Sequence, residues 1–232
     1  MTARLHPIAR RALFAALAIG GVVLVVISDP RSSASYCGGR TEVETLSDHD
    51  QSKVDLTPIA TGIERLRALH RPHLIQLSGR RGPVETTTFS FRARLLAMKR
   101  RPRNGIAVVV AQPSARQQTM IIGFEHPCGG WQTRKETDLM KRAKAALVAA
   151  CGLPPAGRER AALTGEAEVS GVGFFGPRGR ADAAPNGIEL HPALSFKPLG
   201  CHRRRSVPSD GSGKKAARRL QAKTYAPASG RS

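Results

Sequence analysis

Apolar positions along this chain follow three different patterns. Ala12 to Ile27 is an unbroken apolar run behind Arg4, Arg10 and Arg11, and Asp29 and Pro30 end it. Between Thr86 and Met98 the pattern alternates, placing Phe89, Phe91, Ala93, Leu95 and Ala97 on one face of a long strand. Pro102 to Gly105 reads as a turn, Ile106 to Ala111 as a second strand and Gln112 to Gln117 as another turn. A third strand, Thr119 to Phe124, shows Met120, Ile122 and Phe124 on one side. The period then changes to that of a helix. Thr133 and Glu136 form a capping box ahead of the stripe Leu139, Met140, Ala143, Ala146, Leu147 and Ala150, and Gly152 with Pro154-Pro155 closes it. Glu166 to Phe175, with Gly171 and Gly173, predicts a fourth strand. Ile188 to Phe196 predicts a fifth, interrupted by Pro192. Upstream, Thr57-Pro58 predicts a helix start, followed by Ile59, Ile63, Leu66 and Leu69 at helical spacing and ended by Pro72.

Three strands, a helix and two more strands is the order of an OB-type barrel. The fold class expected is mainly β (α+β): a small five-stranded OB-like barrel with one helix between strands 3 and 4, plus an N-terminal export or anchor helix. A twisted open sheet with one helix is the alternative. The domains expected are a signal peptide or membrane anchor over 1–35, a polar linker and amphipathic helix over 36–83, the OB-like domain over 84–201 and a basic disordered tail over 202–232.

The run from Ala12 to Ile27 would span about 24 Å as a helix, short for a bilayer core of about 30 Å. A short run behind a basic leader is the layout of a signal peptide, with Ser33 and Ser35 at the cleavage positions. Retained, it is a single anchor with the leader inside, so the membrane is a partner through residues 12–27 if they stay uncleaved. Both cases place residues 36–232 outside the cytoplasm. Tyr36 before Cys37 excludes a lipoprotein junction. The four cysteines, Cys37, Cys128, Cys151 and Cys201, all follow the leader and imply two disulfides in an oxidising compartment. Of three connectivities, Cys128–Cys151 is favoured because the pair flanks the predicted helix, which leaves Cys37–Cys201. No C-x-x-C pair supports a metal site, and no cofactor motif occurs.

The net charge is +20 and aromatic residues are only 4% of the chain, so the core must be aliphatic; the charge, spread over most of the chain, fits a polyanionic partner and Arg- and Ala-rich coding bias equally. The tail from His202 to Ser232 sets Arg203, Arg204, Arg205, Lys214, Lys215, Arg218, Arg219, Lys223 and Arg231 against Asp210 alone. It reads as disordered, either an electrostatic tether to an anionic envelope polymer or acidic lipid or merely a solvated end. Export argues against a genomic nucleic-acid target.

Two segments carry a resemblance. Gly171-Val172-Gly173-Phe174-Phe175 is followed by Ala184-Pro185-Asn186-Gly187-Ile188-Glu189-Leu190-His191-Pro192, and Thr119 to Cys128 precedes both. Residues 84–198 thereby resemble a family of bacterial exported proteins with the sequence A-P-N-G-I-E-L-H-P. The resemblance implies an OB-like or staphylococcal-nuclease-like fold and export, not an activity. The chain departs from that family's pattern at Arg103 to Ala107, where the family has an acidic D-x-D-x-H stretch. It departs again at Gly123, where the family has Glu, at Gly176, where it has Asp, and at Arg178 to Arg180, where its loop His is missing.

Glu189 and His191 are two apart and share one face of a strand, where a carboxylate can orient an imidazole and tune it. They are the candidate catalytic pair if one exists. Asn186, Glu189, His191, Glu125 and His126 are the candidate binding residues, and the competing reading of the pair is a structural lock at a barrel corner. No D-x-D, H-x-H, H-E-x-x-H or Gly-x-Ser-x-Gly arrangement occurs. The sequence favours a non-catalytic, exported cell-envelope protein whose disulfide-stapled domain binds an anionic polymer or protein partner. A degenerate metal-dependent hydrolase or phosphoesterase of nuclease-like fold is the alternative.

Overall fold

The computed structural model describes residues 38–72, 79–157 and 159–204. The expected export segment, Cys37 and most of the basic tail lie outside the described residues. The protein is mainly β, of α+β class, and its described residues form one six-stranded sheet and three α-helices. The helices are α1 (Arg40–Glu44), α2 (Ile63–Ala68) and α3 (Arg134–Cys151). The strands are β1 (Asp55–Ala60), β2 (Thr87–Arg100), β3 (Ile106–Gln112), β4 (Ala115–Phe124), β5 (Arg160–Phe175) and β6 (Ile188–Arg203). Hydrogen bonding runs β1-β2-β3-β4-β6-β5, and β2 pairs with β5 as well as with β3.

Each expected strand forms, with shifted ends. In β2 the alternating face buries Phe91, Ala93, Leu95 and Ala97. β4 begins at Ala115, because Gln112 and Ala115 already pair and the turn is tight. β5 begins at Arg160, since Ala161 and Leu163 extend its buried face along Met98 and Ala97 of β2. β6 does not stop at Pro192. A register shift with β5 between Leu190 and Ala193 spans that residue, so the ladder bulges around the missing N–H rather than ending there.

Residues 55–60 correct the reading upstream. They form an edge strand, not a helix start, parallel to β2. An edge strand has one partner only, so it tolerates Pro58. The Thr61 N–H donates to Ser90 O at 2.9 Å, which keeps the chain extended until α2 starts at Ile63. Residues 40–54, expected as a linker, are packed: Leu46 and Val54 are buried with Met140 of α3, Val172 of β5 and Leu194 of β6.

The helix α3 matches its sequence reading. Thr133 N–H donates to Glu136 Oε2 at 2.6 Å and Glu136 N–H donates to Thr133 Oγ1 at 3.3 Å, the two halves of a capping box. Its stripe of Ala143, Leu147 and Cys151 joins the main core with Phe91, Leu95, Val108, Ile122, Val169 and Leu190.

The disulfide pairing corrects the sequence-based preference. Cys151 bonds to Cys201, with Cα atoms 5.4 Å apart, and not to Cys128. Cys151 is the last residue of an 18-residue helix about 27 Å long and Cys128 precedes its first turn, so flanking the helix in sequence does not bring the two together. The last turn of α3 instead packs on β6, beside Cys201. Cys128 is also disulfide-bonded. The Cys151–Cys201 bridge closes a separation of 50 residues, so loop entropy assigns it about 4 kcal/mol. Urea unfolding of a Cys151→Ser/Cys201→Ser variant is expected to show a loss of that order. A loss under about 1 kcal/mol would mean that α3 stays docked without it.

Candidate functional site

Parallel pairing of β4 with β6 sets Ile121 against Glu189 and Ile122 against Leu190. That register brings the end of β4 alongside the start of β6 and joins three of the sequence-selected residues. His191 Nδ1 lies 3.1 Å from Glu125 Oε1 and Nε2 lies 2.7 Å from Glu189 Oε2. His191 is 0% exposed and Glu189 1%. Burial disfavours a charged ring, yet its hydrogen bonds to Glu125 and Glu189 outweigh it and raise His191 to about 9. The ring is therefore an imidazolium at neutral pH, with both N–H groups donating. Burial pushes the two carboxyls up, but His191, followed by Arg101 for Glu125 and Arg180 for Glu189, pulls them below the usual carboxylate range.

The network extends at both ends through residues the sequence did not single out. Arg101 Nη1 donates to Glu125 Oε1 at 3.1 Å, and Nη2 donates to Glu44 Oε2 at 3.0 Å. Arg180 donates to Glu189. The result is an alternating chain, Glu44–Arg101–Glu125–His191–Glu189–Arg180, with three anions and three cations. Its inner members are buried, while the Arg101 and Arg180 side chains are 20% and 39% exposed.

Two glycines make the room. A Cβ on Gly123 would run into the imidazole of His191 and lie 2.5 Å from Glu125 Oε1. A Cβ on Gly176 would meet Glu189 Oε1, with Cδ at 2.8 Å. These are two of the positions at which the sequence departs from the resembling family. Phe174 packs tilted against His191 at 5.2 Å between ring centroids, and the Arg40 guanidinium lies 4.4 Å over Phe174. Arg40 in turn pairs with the fully buried Glu85, which also accepts from Arg81 N–H at 2.6 Å and Phe175 N–H at 2.9 Å. This further buried carboxylate has its charge and its hydrogen bonds satisfied, a structural role.

The other sequence candidates stand apart from the network. Asn186 Nδ2 donates to Leu66 O at 2.9 Å and Leu69 O at 3.0 Å, and its Oδ1 accepts from Ile188 N–H. It pins the end of α2 to the start of β6. His126 is exposed, and partial burial with Lys144 and Lys141 nearby lowers its pKa. The pair Glu125–His126 thus splits, one residue inward and the other outward.

Glu44, Glu125 and His191 each bring one ligand-type atom within 4.8 Å of the others. The Arg101 guanidinium already stands among them, and its Nη1 is 3.4 Å from His191 Nδ1. A metal ion there would have to displace that cation. On the outer side of the same arginine is a cleft of about 470 Å³ lined by Lys99, Arg100, Arg101, Ala107, Ile121 and Arg180.

No protein-family model, curated protein or solved structure matches this chain. The fold and the site define an α+β protein built around a buried, charge-alternating Glu–His–Glu network.

Proposed function

We propose that the chain is an exported, non-catalytic cell-envelope protein whose disulfide-stapled domain binds an anionic polymer. The observation that carries this is the closure of the Glu125–His191–Glu189 network: both ring nitrogens are committed and the ring has no exposed surface. A general acid or base has to reach substrate, directly or through one water. The network reaches solvent through Arg101, Arg180 and the Glu44 carboxylate rather than through the ring, and arginine serves anion recognition rather than proton transfer. The return of the β-ladder from β5 to β2 supports an OB-like, five-stranded barrel within the sheet. Barrels of that type bind oligonucleotides or oligosaccharides across one face. The net charge of +20 and the basic tail support an anionic ligand. Among the described residues no helix is long and apolar enough to cross a membrane, and residues 12–27 lie outside them. Export and anchoring rest on the sequence of the leader.

Retention of the full chain on a sulfated polysaccharide tests the reading. Affinity is expected to fall roughly a hundredfold between 50 and 200 mM salt if about four charges are neutralised. Deleting residues 205–232 is expected to weaken it further. Retention that ignores salt would reject the proposal. The second reading, a metal-dependent hydrolase, draws on the closeness of Glu44, Glu125 and His191. Metal-dependent phosphodiester cleavage lost in a Glu125→Gln variant would establish it instead.

A further inference from the structure

Four cations converge on the cleft beside the network: Lys99 and Arg100 at the end of β2, Arg101 just beyond it, and Arg180 from the loop before β6. No acid lines it. Their charges are not equally available. Arg101 spends its charge on Glu44 and Glu125, and Arg180 on Glu189. Lys99 and Arg100 form no ion pair among the described residues, and Arg100 Nε donates only to the carbonyl of Pro154 at 3.1 Å. The cleft therefore has a surplus of about two positive charges. It also has two further guanidinium groups whose positions are fixed from within by buried carboxylates.

We propose that this cleft is an anion site for a ligand carrying two adjacent negative charges on phosphate groups, a phosphomonoester or a pyrophosphate unit. The inference rests on the anion-binding reading above and gives it a location. Three properties of the site select phosphate. A volume of about 470 Å³ admits a small ligand or one unit of a polymer, not a duplex. Three guanidinium groups and an ammonium around one volume offer many donors, and a phosphate presents three terminal oxygens to accept them where a carboxylate presents two. Arg101 and Arg180 are already immobilised by Glu125, Glu44 and Glu189, so a ligand meets them with little side-chain entropy left to lose. The apolar floor of Ala107 and Ile121 keeps competing hydrogen-bond partners out of the base of the cleft.

The test measures inorganic pyrophosphate binding to the full chain by calorimetry at 0.15 M NaCl, in the wild type and in a Lys99→Ala/Arg100→Ala variant. Both substituted residues are exposed and outside the buried network, so the variant is expected to melt at the wild-type temperature. Pyrophosphate is expected to bind the wild type and to bind the variant at least tenfold more weakly. Co-sedimentation with phosphatidic-acid vesicles that the same variant abolishes would support the site and place its phosphate on a lipid headgroup. Wild-type protein left in the supernatant while binding pyrophosphate would support it with a soluble ligand. Equal affinity in wild type and variant, or no pyrophosphate binding at all, would overturn the proposal. So would citrate binding as tightly as pyrophosphate at the same ionic strength. Should the site fail while salt-sensitive retention on sulfated polysaccharide persists, the general anion-binding reading stands and only the location falls.

Discussion

A Gly123→Ala substitution is expected to cost the domain about 3–5 kcal/mol, enough to leave a marginal fold largely unfolded. The added methyl has nowhere to go. It would occupy the place of the His191 ring and press on Glu125 Oε1 at 2.5 Å. His191 is held from both ring nitrogens, and β4 and β6 are locked in register around it, so neither side chain nor backbone can yield cheaply. Overpacking an ordinary core position costs about 1–3 kcal/mol. Here the displaced group is a buried cation on which two buried carboxylates depend, and breaking such a set costs more than crowding alone. Gly62→Ala is the control: Gly62 has φ −132° and its nearest neighbour to an added Cβ is 3.9 Å away, so its unfolding midpoint is expected to stay close to wild type. Urea denaturation followed by circular dichroism measures both. A Gly123→Ala/His191→Ala double variant separates steric conflict from any other fault at position 123. If the clash is the cause, the second substitution removes part of the damage and the two losses fail to add. A Gly123→Ala variant within 1 kcal/mol of wild type would show that β4 and β6 can move apart and that the register does not fix the network.

What the sequence made readable was local. The capping box at Thr133 and Glu136, the alternation through Phe91, Ala93 and Leu95, and the shared strand face of Glu189 and His191 depend on neighbours within a few positions. Glu125 was noticed too, but nothing nearby in the chain ties it to a histidine 66 residues later. That link requires the parallel β4–β6 pairing, in which two segments separated by α3 and β5 come side by side. Gly123 left a trace: a glycine inside the run Met120-Ile121-Ile122-Gly123-Phe124 marks close approach of another group. The resemblance turned attention elsewhere, because it made Gly123 and Gly176 read as lost acids. The structure gives both positions a constructive part, as space for His191 and Glu189. Arg101 and Arg180 carried no comparable mark in a chain with 37 Lys and Arg residues. Glu44 sat in a stretch whose polarity suggested a linker, where only the burial of Val43 and Leu46 reveals packing. The disulfide was misassigned for a related reason. Proximity to a helix end along the chain says less than which strand the helix lies on.

The charge-alternating network also makes stability depend on pH in a defined direction. His191 has a folded pKa of about 9 against an unfolded value of about 6.5. A raised pKa means that the folded state binds the proton more tightly, so the contribution is complete below about pH 6.5 and disappears as pH rises through about 9. A difference of that size corresponds to about 3 kcal/mol. Glu125 and Glu189 have lowered values, so their contribution is present above the usual carboxylate range and is lost on acidification. The two limbs leave a plateau in mildly acidic solution. From pH 6.5 to pH 10 the wild type is expected to lose about 6–12 °C in melting temperature from this group alone. The groups that face the ring account for the direction: Glu125 and Glu189 on its nitrogens favour the imidazolium, Glu44 adds to them, and Arg101 at 3.4 Å opposes. In a His191→Gln variant the alkaline limb is expected to vanish, because glutamine has no proton to lose in this range. The variant is also expected to start lower at pH 6, since Glu125 and Glu189 are then buried with only the arginines to neutralise them. The two melting curves should therefore converge as pH approaches 10. Parallel curves, separated by a constant amount from pH 6 to pH 10, would show that His191 is neutral in the folded protein and that the network is held by the arginines without it.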